Sequence, residues 1–178
     1  MKLYHGTDSD SAKDIYDAQT VDVNIGSAKV DFGKGFYMTE DPKKAIIWAY
    51  RKAKARRKKP ALITIYFDYE AAAPYITSFK DDLRWAQFVI NNRNGIKYIT
   101  QISKKEHNLD AKYHITHGRV ADIDVVDIAE LLEKEGREIT DLHSILNPNY
   151  PFQYVLHTKF ATEFITKITY RNLREVNP

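Results

Sequence analysis

The chain has 178 residues, 43% of them hydrophobic and 12% aromatic, with a formal net charge of +3. That is enough chain for one domain over 1–178 with a core of its own, and too much apolar content for a disordered protein. There is no cysteine, which excludes a disulfide framework and thiolate chemistry. No apolar run approaches the ~18 residues of a membrane span. No signal-peptide pattern precedes "KLYHG", so the sequence points to a cytoplasmic protein, and export as a toxin by dedicated machinery is compatible with it.

The charge is uneven. Nine of the 27 basic residues fall between Lys43 and Lys59, while the stretch from Asp122 to Asp141 carries eight acids against two bases. One region can attract polyanions and another repels them.

In chain order, "KLY" predicts a short opening strand and "DSAKDIYDA" a helix capped by Ser9 or Asp10. Residues 20–35 are rich in turn formers. "FYMT" predicts a strand. Asp41 followed by Pro42 predicts a helix start, and the helix runs through the basic stretch to a stop before Pro60. "ALITIYF" is β-branched and nearly continuous, as a central strand would be; "YITSF" is a candidate to pair with it. "DDLRWAQFVINNRNG" predicts a helix capped at Asp81. "YHITHGRV" predicts a strand, "DVVDIAELLEKEG" and "TDLHSIL" helices, "FQYVLH" a strand, "TKFATEFI" a helix and "KITYRNLREV" a last strand. The class is α+β, with strands towards both termini and helices inserted between them.

Three separated stretches stand out: "LYHGT", "FGKGFYMTEDPKKAIIWA" and "FQYVLHTKFATEFI". In this order they resemble the NAD-dependent ADP-ribosyltransferases of the diphtheria-toxin and poly(ADP-ribose) polymerase branch. That branch carries a histidine at the end of its first strand, a tyrosine after a glycine-rich turn and a glutamate at the start of a late strand. The chain looks closer still to an uncharacterised bacterial family of that fold, which shares "WAQFVINNR", "YHITHGRVAD" and "LHT". The resemblance implies short split β-sheets around an NAD cleft. It implies that NAD is the substrate and that ADP-ribose moves to a macromolecular acceptor with release of nicotinamide.

By the same resemblance, His5 would hydrogen-bond the adenosine-side ribose, Gly6 would offer backbone groups to the carboxamide, and Thr7 would flank them. Gly33 and Gly35 would let the loop turn tightly before Phe36 and Tyr37. Tyr37 would stack on the cationic nicotinamide ring. Trp48 stands where the polymerases carry a second stacking tyrosine. Two positions depart from the pattern. Ala45 replaces a carboxamide-binding serine, and Gln153 replaces the glutamate. Breaking the ribose–nicotinamide bond builds an oxocarbenium-like sugar. An amide can bind a ribose hydroxyl but supplies neither a full negative charge nor a base, a loss of ~2–4 kcal/mol if it follows other preorganised sites.

Asp31, Glu40, Asp122 and Asp124 are candidates for a replacement acid, and Arg119 with Asp122 for ordering a loop near the cleft. Arg56, Arg57, Lys58 and Lys59 are candidates for contacting a nucleic-acid acceptor. His114 and His117 are three apart on a strand, which puts them on opposite faces, and no metal site is read. The sequence thus predicts a mono-ADP-ribosyltransferase. The alternatives are an inactive NAD-binding or sensing module and an NAD glycohydrolase; an RNA 2′-phosphotransferase lacks its paired arginines and histidines at these motifs.

Overall fold

A computed structural model describes residues 1–80, 83–94, 107–121, 134 and 151–174. The first strand, β1, covers Lys2–Asp8 and leads into helix α1, Ser9–Ala18. Strand β2 is Phe36–Thr39, helix α2 Pro42–Arg56 and strand β3 Pro60–Phe67. A single-turn helix α3, Tyr69–Ala72, precedes strand β4, Ile76–Ser78. Helix α4 is Leu83–Asn94, strand β5 Ile115–Arg119, strand β6 Phe152–Leu156 and strand β7 Ile165–Asn172.

The seven strands form one mixed sheet in the order β4-β5-β6-β2-β1-β3-β7. Only β4 and β5 run parallel; the other neighbours are antiparallel. The α+β class holds, but the strands make one sheet where the resemblance implies split sheets. The joint between β2 and β1 differs from the rest. It is a single register pair, Tyr4 with Thr39, whereas β1 pairs β3 over seven positions and β2 pairs β6 over four. The sheet is therefore continuous in order but parts in the middle, just where His5, Gly6 and Thr7 pass Phe36 and Tyr37.

Two cores flank the sheet. Leu3, Phe36, Met38, Ile63, Ile65, Leu156 and Ile168 are buried with Ala12 of α1. Phe32, Phe79, Val155 and the α4 residues Trp85, Phe88, Val89 and Ile90 form the second. Strand alternation divides the side chains: Phe36 and Met38 join the first core, and Tyr37 packs against the second.

Helix α2 begins as its sequence dictates. Asp41 accepts from the main-chain N–H groups of Lys43 and Lys44, with proline in the first turn, which satisfies donors that the helix itself leaves open. The helix ends at Arg56, with Arg57 left-handed at φ 55°, three residues short of the predicted end at Lys59, before Pro60. Its buried face is Ala45, Ala49 and Ala53, one alanine per turn, and that smooth face lies directly on Gly6 of β1. A Cβ at Gly6 would stand 1.9 Å from Ala45 O and 2.6 Å from Ala49 N.

Several elements differ from the sequence reading. The cap of α1 is Asp8, whose side chain accepts from Ser11 N, and not Ser9 or Asp10. Strand β3 lies between β1 and β7. The "YITSF" segment does not pair with it; β4 forms the far edge beside β5. The "TKFATEFI" stretch forms only a 3₁₀ turn over Phe160–Phe164, too short to repay nucleation of an α-helix. The predicted cap at Asp81 and the two acidic-region helices lie outside the described residues. Among the described residues no helix is long and apolar enough to cross a membrane.

The Gly6 contact yields a prediction. Gly6→Ala must push α2 off β1, because the obstructing atoms are backbone, and should cost about 3 kcal/mol, the upper end for overpacking. Gly26→Ala, where the nearest atom is 3.7 Å away, should stay within about 0.5 kcal/mol of wild type. Urea denaturation of the two variants measures both.

Candidate functional site at the parting of the sheet

Where β1 and β2 stop pairing, the open backbone acceptor of Tyr37 is taken by a side chain. His5 Nδ1 lies 2.6 Å from Tyr37 O. A carbonyl only accepts, so Nδ1 carries the proton, and Nε2 of the neutral ring is an acceptor. Lys52 Nζ lies 3.1 Å from that Nε2 and donates to it. The ring also stacks on Phe36, with centroids 4.4 Å apart and planes at 28°. Burial, reinforced by the Lys52 charge, pulls the imidazole pKa down to about 3, against the Tyr37 carbonyl, which favours the protonated form. His5 is therefore a neutral, oriented acceptor at neutral pH.

The contact with Lys52 crosses the opening. Gly6 faces α2, and alternation sends His5 to the opposite side of β1 with Leu3. Lys52 nevertheless reaches His5 from α2, which it can do because no ladder closes the gap between β1 and β2. Burial, helped by the neighbouring Arg56 cation, lowers the Lys52 pKa to about 8, with Asp8 opposing. Trp48 stands one turn before Lys52 on the same flank. It is half exposed, with the Arg51 guanidinium 5.1 Å from its ring centroid.

Tyr37 is tied at its hydroxyl, which donates to Gly33 O at 2.7 Å and accepts from Phe32 N at 3.0 Å. Burial, then the nearby Asp31 carboxylate, raises the phenol well above its usual pKa. Its ring packs against the second core. Gly33 is left-handed at φ 77°, so it does provide the tight turn. Gly35 serves differently: a Cβ there would meet Leu156 O at 2.6 Å. Thr7 and Phe36 are buried beside the opening.

Gln153 is on β6, opposite Thr39 and two residues from Val155, the partner of Tyr37. Its side chain therefore shares a sheet face with Tyr37, as a diagonal neighbour. Its Nε2 donates to Asp31 Oδ2 at 3.2 Å. The same oxygen accepts from Ala121 N at 2.9 Å, and Asp31 Oδ1 accepts from Arg93 Nε at 2.8 Å and from the Arg93 Nη2. Asp31 is thus a buried hub that ties the turn before β2 to α4, β6 and the chain after β5. Its charge is offset by Arg93, which argues for a structural carboxylate over a replacement base. Asn92 completes the lock: Nδ2 donates to Phe88 O at 2.8 Å, and Oδ1 accepts from Asn108 N at 2.8 Å.

The other predicted residues are placed apart from this group. Arg119 pairs with Phe152 across β5 and β6, and its guanidinium sits 4.6 Å from the Phe152 ring centroid, on the face opposite Gln153. Asp122 and Asp124 lie outside the described residues. Among the described residues no ring contact joins Trp48 to Tyr37. In the basic run, Arg56 Nη1 is 2.7 Å from Asp8 Oδ2 and Lys58 Nζ 2.7 Å from Asp10 Oδ2, so these two cations fasten the end of α2 to the start of α1. Among the described residues no group of three or more histidine, aspartate or glutamate side chains converges as a metal would require.

Sequence reasoning missed Lys52, Arg93 and Asp8. Asp8 had a signal, a carboxylate three residues before Ser11 at a helix start. Lys52 had a weaker one, as the residue one turn after Trp48 on the flank of an alanine face.

Two predictions follow from these contacts. Burial works against the Asp8 charge, but the Ser11 N–H, the Arg56 guanidinium and the Ser11 hydroxyl outweigh it and hold its pKa at about 2 against 3.8. A depressed carboxylate stabilises above its unfolded value, so a contribution of roughly 2 kcal/mol should be lost between pH 4 and pH 2; a pH series of urea melts on wild type and Asp8→Asn isolates it. Gln153→Glu sets a second carboxylate against Asp31 and should cost about 1–3 kcal/mol. Adding Asp31→Asn to it restores a carboxylate–amide pair and should recover part of that loss in the same melts.

No curated protein and no solved structure matches the chain. One family model does, over residues 1–166, which covers β1 through the first residues of β7 and so includes the parted strands, Lys52, Asp31 and Gln153. The chain belongs to the family described as protein of unknown function (DUF3990).

Proposed function

We propose that this protein is a mono-ADP-ribosyltransferase that moves ADP-ribose from NAD to a macromolecular acceptor, protein or nucleic acid. The observation that carries the reading is the convergence of two motifs at the place where β1 and β2 part. "LYHGT" brings a neutral His5 with a fixed tautomer, and "GKGFYM" brings the carbonyl that fixes it. An acceptor nitrogen of known orientation, beside a gap in a sheet, suits a ribose hydroxyl.

In this reading the C1′–nitrogen bond breaks with its electron pair going to nicotinamide, which leaves neutral and needs no general acid. The acceptor's nucleophile then forms a bond to C1′ and loses its proton. In the same reading His5 holds a ribose hydroxyl, and the resemblance assigns the Tyr37 ring and the Trp48 indole to the nicotinamide. Gln153 shares the face of Tyr37 but spends one amide N–H on Asp31. It orients a hydroxyl and takes no proton from it. Chain elongation, in which a sugar hydroxyl attacks a second sugar, needs such a base; a single transfer to a carboxylate, phosphate or base nitrogen needs less.

A specific observation favours a second reading, an NAD-binding module without turnover. The carboxylate behind Gln153 is offset by Arg93, which leaves the developing sugar cation without a bare negative charge at that strand. Nicotinamide release separates the two. Wild type incubated with NAD and lysate should release nicotinamide and yield products carrying one ADP-ribose per site by mass spectrometry, and His5→Ala should lower the rate at least ~10-fold, as loss of a positioned polar contact does. NAD binding by calorimetry without nicotinamide release selects the binding module. Absence of both sinks the NAD reading, and ladders of linked units would show that another group serves as base.

A further inference from the structure

Lys52 stands out among the described cations. A partly buried ammonium normally has a carboxylate partner, because desolvating an unpaired charge is costly. Among the described residues no carboxylate lies within ion-pair distance of Lys52; its partner is the uncharged Nε2 of His5, at 3.1 Å. The acids nearby are engaged. Asp8 is held by Arg56 at 2.7 Å and approached by Lys58 at 4.0 Å, and Asp10 is held by Lys58. Three cations, Lys52, Arg56 and Lys58, thus share two carboxylates. The surplus charge lies at the opening of the sheet.

We propose that Lys52 is the anion-binding group of this opening, and that it leaves His5 Nε2 to engage the pyrophosphate of a dinucleotide. This inference rests on the NAD reading for the identity of the dinucleotide, but not for the anion itself. A phosphate and a sugar hydroxyl are neighbours in any nucleotide. Lys52 and His5 are neighbours with the matching chemistry: a cationic donor for the one and a neutral acceptor for the other. When Lys52 moves to phosphate, the imidazole acceptor is released for the hydroxyl in the same event. The ligand then pays the desolvated cation the partner that the protein withholds, and one contact is exchanged for two.

The exchange carries a pH signature. The charged and titratable groups facing Lys52 are His5 and Asp8 from β1 and Arg56 from its own helix; β2 presents the Phe36 ring and the Tyr37 carbonyl. His5 stays neutral well below neutral pH, Asp8 stays charged down to about pH 2, and Lys52 loses its proton at about pH 8. Between pH 7 and pH 10 Lys52 is the member of this set that titrates. Anion affinity requires its proton, so affinity is close to full at pH 7 and falls as pH rises through about 8, by about tenfold per unit once the proton is lost.

The test uses calorimetry on the full chain with four probes: NAD, ADP-ribose, inorganic pyrophosphate and nicotinamide riboside, which lacks phosphate. At pH 7, Lys52→Met should weaken NAD, ADP-ribose and pyrophosphate at least tenfold without weakening nicotinamide riboside, while Lys52→Arg should retain most of the affinity. Wild-type affinity for ADP-ribose, whose phosphates stay charged throughout, should drop between pH 8 and pH 10. That pH series needs no variant and stands even if Lys52→Met does not fold. Lys52→Met binding NAD and pyrophosphate as wild type does, or a flat pH series, overturns the proposal and leaves the NAD reading intact. Lys52-dependent pyrophosphate binding with no binding of NAD supports the anion site and sinks the transferase reading. No binding of any phosphate-bearing probe by wild type overturns both.

Discussion

The closeness of α2 to β1 is the constraint on which the site depends. A helix whose inner face is Ala45, Ala49 and Ala53 can lie nearer a strand than one with larger side chains, and Gly6 removes the last obstacle. At that separation a long side chain on the helix flank overshoots the strand. Lys52 thereby reaches past β1 to His5, and Arg56, one turn later, reaches Asp8. A helix held a few ångströms further out would leave both cations in solvent with ordinary behaviour. The Lys52 contact with His5, the depressed Lys52 pKa and the Arg56–Asp8 ion pair all depend on that packing distance.

The other half of the opening is held by a different device. Asp31 gathers Arg93, Gln153 and the Ala121 main chain around one buried carboxylate, and Asn92 ties the same turn to the segment at Asn108. A buried network of this kind is costly when any member is lost, because its partners stay desolvated. It gives the turn before β2 a single geometry, with Gly33 left-handed and the Tyr37 hydroxyl closing the loop. The two sides of the opening are thus rigid for independent reasons. One is fixed by close apolar packing and the other by a buried polar cluster, and the weak single-pair joint between β1 and β2 lies between them.

This arrangement changes the sense of Gln153. From the sequence it is an amide standing where a resembling family has a carboxylate, a loss of charge. In the structure it is the neutral partner of a carboxylate already present on the adjoining turn. A second carboxylate there would meet the first at hydrogen-bonding distance, so the amide suits the cluster it belongs to. The charge that matters at the opening comes from the other side, from Lys52 on the helix.

What was legible in the sequence is what local rules govern. The Asp41–Pro42 start of α2, the β-branched run of β3, the "FYMT" strand and the α+β class follow from capping, propensity and period. His5, Gly6, Tyr37 and Gln153 are nominated by none of these rules but by a family resemblance carried on short motifs, which keep their neighbours in sequence. The tertiary structure alone decided what long-range contacts decide. It placed β4 at the far edge and not beside β3, and it reduced "TKFATEFI" to a single 3₁₀ turn. It paired Arg56 and Lys58 with acids of α1, and so gave part of the basic run a structural job. It set Lys52 against His5 across 47 positions of chain and Asp31 against Gln153 across 122. No periodicity within either segment carries those meetings, because they depend on how closely a helix can approach a strand, and that is settled only when the whole sheet is assembled.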